Sequence, residues 1–128
     1  MLAWNEAARQ NFLQMQYAAR QKYYQAHFPR ASQDIIWEGS APLGQLYVDR
    51  RETEIRILDI ALLPQVRGCG IGTRFLYDLM EEAQSNQKKI SIYVDTSSPF
   101  LAWFQHLGFI SAEENGISCL LEWHPAAP

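Results

Sequence analysis

"PQVRGCGIGT", residues 64–73, sets glycines at positions 68, 70 and 72, with Arg67 directly in front of them and Thr73 directly behind. A backbone this bare lets a charged group approach main-chain amides with no side chain in the way. Three alternating glycines beside an arginine and a threonine fit a phosphate or pyrophosphate grip, whereas a lone glycine pair would suggest only a tight turn. The flanks support the grip. "EIRILDIALL" (54–63) reads as a strand, and Ile71, Phe75, Leu76, Leu79, Met80 and Ala83 recur at helical spacing. At such a strand-to-helix handover the first helical amides have no partner within the helix, and the helix dipole favours an anion there. Arg67 adds a charge-assisted contact.

Outward from the loop the chain reads as alternating elements. "DIIWE" (34–38), "LGQLYVD" (43–49) and 54–63 form a three-stranded meander with "GSAP" and "RRET" as turns. Ahead of it Trp4, Ala8, Phe12, Met15, Ala19 and Tyr23 make one apolar stripe of a long helix or of two helices end to end, which "HFPRAS" stops at Pro29. Behind the loop helix, which ends near "QSNQ", come the strand "KISIYVD" (89–95) and the helix "SSPFLAWFQHLGF" (97–109). In that helix Ser98 can cap, Pro99 takes the first position and Gly108 makes the left-handed stop. The strands "FISA" and "GISCLLEW" around "EENG" close the chain, with "HPAAP" as a loose tail.

With 128 residues, 48% of them hydrophobic, the chain suffices for one domain with one core. A net charge of −3 argues against nonspecific nucleic-acid binding. The polar N-terminus has neither a signal peptide's apolar run nor a membrane span's, so a cytoplasmic protein is expected. Cys69 and Cys119 lie far apart, which fits reduced thiols, and no metal-ligand spacing appears. A nucleotide-triphosphate loop needs a lysine that "GCGIGT" lacks. The dinucleotide fingerprint fits poorly, because Thr73 stands where its third glycine belongs and a meander precedes the loop; Asp95, placed like a ribose-binding acid, keeps it as a weak alternative.

Arg67-Gly68-Cys69-Gly70-Ile71-Gly72 resembles the R/Q-x-x-G-x-G/A signature of the GNAT superfamily, the acyl-CoA-dependent N-acyltransferases. The resemblance runs from about residue 33 to about 123, through "LLPQVRGCGIGTRFLYDL" and "WFQHLGF". It implies an α/β domain spanning 1–128 with a mixed, mostly antiparallel sheet flanked by helices, and acetyl-CoA as co-substrate. By resemblance, Arg67, Gly68, Cys69, Gly70, Gly72 and Thr73 hold the cofactor pyrophosphate. The family splays two neighbouring strands so that the pantetheine arm lies between them like an extra strand, which implies that the strand end Ile60, Ala61 and Leu62 pairs with that arm through its backbone. The implied activity is direct transfer of an acetyl group to a primary amine, on a small molecule or a peptide.

Such a transfer needs a proton acceptor for the amine and stabilisation of the thioester oxyanion. Glu54 stands as far ahead of "QVRG" as the glutamate base of the family's histone-acetylating members; its other reading is a strand-end acid paired with Arg51 or Arg56. Asp59 lies in the apolar run "ILDIALL", where an unpaired carboxylate is costly: it is either a tuned acid or base, or a satisfied core acid. Tyr93 reads first as packing and second as a hydroxyl for the cleft. His27 and His106 have no partners at metal spacing, and the aromatic set from Trp4 to Tyr24 reads as core before it reads as an acceptor pocket.

Three departures from the family bear on function. Phe104 replaces the tyrosine that protonates the leaving CoA thiolate, Ser97 replaces a frequent asparagine that contacts pantetheine, and the usual first strand is missing from the pattern. Phe104 favours a catalytically silent acyl-CoA-binding module as the rival reading. The missing strand would leave 34–38 as a sheet edge, to be covered by a second copy, as in a homodimer, or by the N-terminal segment. Net acidity mildly favours a cationic acceptor.

Overall fold

A computed structural model of the chain describes residues 19, 22–38, 40–62 and 70–128. Met1–Ala31 is one compact unit and Ser32–Pro128 another. In the first, residues 22–27 are helical (α1), and the stacked rings of Tyr23 and His27 lie 4.2 Å apart with the His27 Nδ1 2.9 Å from the Tyr23 carbonyl oxygen. The stripe from Trp4 to Met15 and the expected absence of an earlier strand fall outside the described residues.

The second unit runs β1 (Ser32–Glu38), β2 (Ala41–Arg50), β3 (Glu54–Leu62), α2 (Ile71–Asn86), β4 (Lys89–Asp95), α3 (Phe100–His106), β5 (Ile110–Glu114) and β6 (Ser118–Trp123). The sheet order is β1-β2-β3-β4-β6-β5, so β1 is an edge among the described strands. Every neighbouring pair is antiparallel except β3 and β4, which α2 connects in parallel as a crossover helix. This is the mixed, mostly antiparallel sheet expected from the sequence.

Alternation decides which side of the sheet is the core. Leu46 and Val48, Ile55 and Ile57, Ile90 and Ile92, and Cys119 and Leu121 are each two residues apart on their strands, so each pair faces the same way, and all are buried in one cluster. The stripe Leu76, Leu79, Met80 and Ala83 of α2 belongs to that cluster. Tyr47 and Gln45, from the same strand as Leu46, face the opposite way, and Gln45 accepts a 2.8 Å hydrogen bond from Gln33.

Several ends differ from the sequence reading. The last helix is shorter than 97–109 because Ser98 and Pro99 form its entry turn: the Ser98 Oγ accepts from the Phe100 amide at 3.1 Å. Its stop is as expected, with Gly108 at φ +103. The Phe109 amide reaches back to the Phe104 carbonyl, the Gly108 amide to that of Gln105, and the Phe104 and Phe109 rings meet edge to face. β5 extends through Glu113 and Glu114, because the turn is made later, by the Asn115 side chain accepting from the Ile117 and Ser118 amides. The tail is not loose: Gln84 on α2 clamps the Ala126 backbone with one bond in each direction, 2.8 and 3.0 Å.

Candidate functional site

β3 has two halves. Its first residues pair in register with β4, Glu54 with Lys89 through Ile57 with Ile92, and there the ladder ends although β3 continues to Leu62 and β4 to Asp95. At the same place the β2–β3 register shifts: Val48 faces Ile57, but Tyr47 faces Asp59, which leaves Leu58 as a bulge. A bulge bends its strand and increases the local twist, which turns the end of β3 away from β4. The opening becomes a cleft of about 420 Å³ lined by Ile60, Leu62, Gly70, Gly72, Thr73, Pro99, Phe100 and Trp103.

α2 starts at the rim of this cleft. Its N-cap, Gly70, has φ +82, and among the described residues no side chain caps the helix. The amides of the first turn therefore remain available to an anion. Among the described residues, nothing lies within 4 Å of where a Gly70 Cβ would stand. Gly72 is different: a Cβ there would meet Leu62 Cδ1 at 2.9 Å and the Trp103 ring at 3.4 Å. Gly70 thus serves the bend and the approach, while Gly72 lets strand, helix and indole pack together. Thr73 also lines the cleft, and its Oγ1 accepts a 3.3 Å hydrogen bond from the Trp103 indole. Arg67, Gly68 and Cys69 lie outside the described residues.

The closed half of β3 carries Glu54. Its Oε2 accepts from the Ser91 Oγ at 2.7 Å and lies 3.7 Å from Arg56, and its Oε1 lies 3.3 Å from Arg51. Ser91, itself fully buried, accepts from the Arg56 Nε at 2.7 Å. Burial pushes the Glu54 carboxyl upward, but the Ser91 hydroxyl and the charges of Arg56, Lys89 and Arg51 outweigh it and hold the group below its ordinary value. Glu54 lies about 10 Å along the strand from the end of the ladder, at roughly 3.3 Å per residue. The Arg56 guanidinium lies over the Tyr93 ring, 4.9 Å from its centroid. Tyr93 is the first β4 residue beyond the ladder and is 56% exposed, facing away from the core between buried Ile92 and Val94.

Asp59 pairs in register with Tyr47, on the face opposite Leu46 and Ile60. The bulge and the alternation of β3 thus resolve the oddity of an acid in an apolar run: Asp59 points away from the cluster that Ile57 enters. A hollow of about 200 Å³ on that side of the sheet is lined by Tyr93, Glu113, Glu114, Asn115, Ser118 and Leu120.

Of the expected cofactor residues, the fold brings Ile60, Leu62, Gly70, Gly72 and Thr73 to one cleft. Ala61 lies between Ile60 and Leu62 on the strand end, with its side chain turned the other way, opposite Gln45, and Ser97 is an exposed turn residue. Phe104 is 1% exposed and packs in the core, so the α3 side chains that wall the cleft are its neighbour Trp103 and Phe100. Trp103 and Phe100 escaped the sequence reading because at three-residue spacing in an apolar helix they read as core. The usable signal was that α3 has more aromatic positions than one buried stripe can take.

Residues 2–109 match the family model described as Acetyltransferase (GNAT) family. No curated protein matches the chain. Among solved structures, the chain resembles a GNAT family acetyltransferase from Elizabethkingia anophelis with acetyl-CoA bound, at 19% identity and TM-score 0.70 over 80% of this chain and 82% of that one. It also resembles the ribosomal-protein-S18-alanine N-acetyltransferase of Escherichia coli, at 15% identity and TM-score 0.71 over 84% of this chain and 78% of that one. A third is the PaiA N-acetyltransferase of Thermoplasma acidophilum in complex with coenzyme A, at 12% identity and TM-score 0.71 over 94% and 80%. Identities this low speak for the shared fold.

Proposed function

The chain belongs to the acetyltransferase (GNAT) family, and on that premise we propose that it transfers an acetyl group from acetyl-CoA directly to a primary amine. The observation that carries the reading is the parting of β3 and β4 after Ile57 and Ile92, opposite a helix start at Gly70 that no described side chain caps. The amides of the first turn of α2 suit the cofactor diphosphate, and Arg67, Gly68 and Cys69 directly precede them in sequence. The apolar cleft beside Ile60 and Leu62 suits the pantetheine arm.

The acceptor then approaches from the other face of the sheet, where Asp59, Tyr93 and the hollow beside Glu113 and Glu114 stand. Those carboxylates support a cationic amine as acceptor. Two acids compete for the proton. Asp59 stands past the end of the ladder, on the face from which the acceptor approaches, whereas Glu54 stands at the far end of the laddered half among Ser91, Arg51 and Arg56. A base works best with a pKa near the operating pH, and the depression of the Glu54 carboxyl counts against it in that role. We therefore assign proton removal to Asp59 first and Glu54 second.

Thiol release from acetyl-CoA, followed with a panel of mono- and polyamines and peptides, tests the activity. Amine-dependent release is the expected result, with Asp59→Asn lowering turnover roughly 10²–10⁴-fold. A larger loss in Glu54→Gln than in Asp59→Asn, at unchanged cofactor affinity, reverses the order of the two acids. Phe104, buried in the core, offers no hydroxyl to the departing thiolate and favours the second reading, a silent acyl-CoA-binding module. Tight acetyl-CoA binding with no transfer to any amine would establish that reading.

A further inference from the structure

We propose that Trp103 is a positioning residue for the cofactor diphosphate, acting through Thr73; the inference rests on the acetyl-CoA reading above and adds to it how the grip is set. An indole Nε1–H can only donate. At 3.3 Å from the Thr73 Oγ1 it takes up acceptor capacity of that hydroxyl. The threonine keeps its own hydrogen to donate, and Thr73 lines the cleft beside the amides of the first turn of α2. An acceptor-rich, anionic group is the partner that this arrangement suits, and an indole bond of this polarity disfavours Thr73 as an acceptor toward a ligand N–H.

Geometry holds the indole in place. Its ring stands against the space that a Gly72 Cβ would fill, so the glycine is what lets Trp103 come within reach of Thr73 one residue on. Phe104 packs against the same indole at 4.9 Å between centroids and Phe100 at 6.2 Å, which fixes its plane from the α3 side. The indole thus ties α3 to the start of α2 across the cleft, and the last glycine of the loop serves the cofactor through this contact.

The test compares acetyl-CoA with S-acetylpantetheine, which has the same arm and no phosphate. Trp103→Phe keeps an aromatic wall and removes the N–H; it should weaken acetyl-CoA binding about tenfold, the range of one hydrogen bond to a charged group, and leave S-acetylpantetheine binding unchanged. Thr73→Val should give the same selective loss, Thr73→Ser should bind like the parent, and the Trp103→Phe/Thr73→Val double variant should lose no more than either single one. Equal losses for both ligands, or none for acetyl-CoA, would overturn the proposal and leave Trp103 as a wall of the pantetheine cleft. A parent protein that fails to bind acetyl-CoA would overturn the cofactor reading itself, and this inference with it.

Discussion

The two halves of β3 meet different neighbours. From Glu54 to Ile57 the strand is laddered to β4, and Glu54, Arg56 and Ser91 satisfy one another. From Asp59 to Leu62, past the bulge, it is laddered to β2 alone and borders a cleft whose far side is a helix start that no described side chain caps. A buried polar group without a partner costs about 1–3 kcal/mol, which the contacts of Glu54, Ser91 and Arg56 avoid, while the helix amides facing the cleft are placed where a ligand can supply the partner. The closed half therefore holds the fold together, and the open half is kept for binding.

The sharpest way to break this comparison is at the glycines. Gly70→Val should lower acetyl-CoA affinity by more than about 100-fold, roughly 2.7 kcal/mol, because its branched side chain would occupy the approach to the helix start, beside a stability cost of about 1–2 kcal/mol for a β-branched residue at φ +82. Gly72→Val should lower stability by about 1–3 kcal/mol with a much smaller loss of affinity, since it overpacks the contact with Leu62 and Trp103. Isothermal titration and thermal melting separate the two outcomes. Matching losses of affinity and stability in both variants would show that open and closed regions are not distinct.

Ser91→Ala probes the closed half alone. It leaves Glu54 and Arg56 without their shared hydroxyl and should cost about 1–3 kcal/mol of stability with cofactor affinity unchanged. Changed affinity with intact stability would instead connect Ser91 to the cleft.

Acid should loosen the same half first. Glu54 and Glu122 are both held below an ordinary 4.5, Glu54 by its partners against the opposing effect of burial, Glu122 chiefly by its hydrogen bond from Lys89. A carboxyl depressed in the folded state contributes stability that is fully present above the unfolded value and is lost as pH falls through the folded one. Melting temperature should therefore fall below about pH 4.5, and Glu54→Gln should flatten that fall. An equally steep fall in the variant would remove Glu54 from the effect.

The smallest expected effect lies away from both halves, at the other end of α2. Gln87 ends that helix with φ 52, where glycine is easier. Gln87→Gly should raise stability by up to about 1 kcal/mol in chemical denaturation without touching cofactor binding. A loss would mean that its side-chain bonds to Gln84 and Ala126 outweigh the backbone strain.

Much of this was legible in the chain itself. The meander, the loop helix and the strand Lys89–Asp95 follow from local periodicity, and Ser98, Pro99 and Gly108 marked the ends of α3 because capping and a left-handed stop depend on near neighbours. "EENG" misled because its turn residue, Asn115, works through a side chain that closes the turn two and three residues later. Phe104 and Trp103 could not be told apart in sequence: both are aromatic and adjacent, and only the packing of α3 sends one to the core and the other to the cleft.

The sequence alone determined the element order, the glycine loop at a strand-to-helix handover and the family resemblance, because those depend on residue type and short spacing. The tertiary structure decided where β3 leaves β4, which face Asp59 takes, that Glu54 is bound into an ion-paired network, and that Gly72 serves packing. Each of these depends on a contact between residues distant in the chain. Register, bulge and close approach are settled by the partner that arrives across the sheet, and no local pattern records that partner.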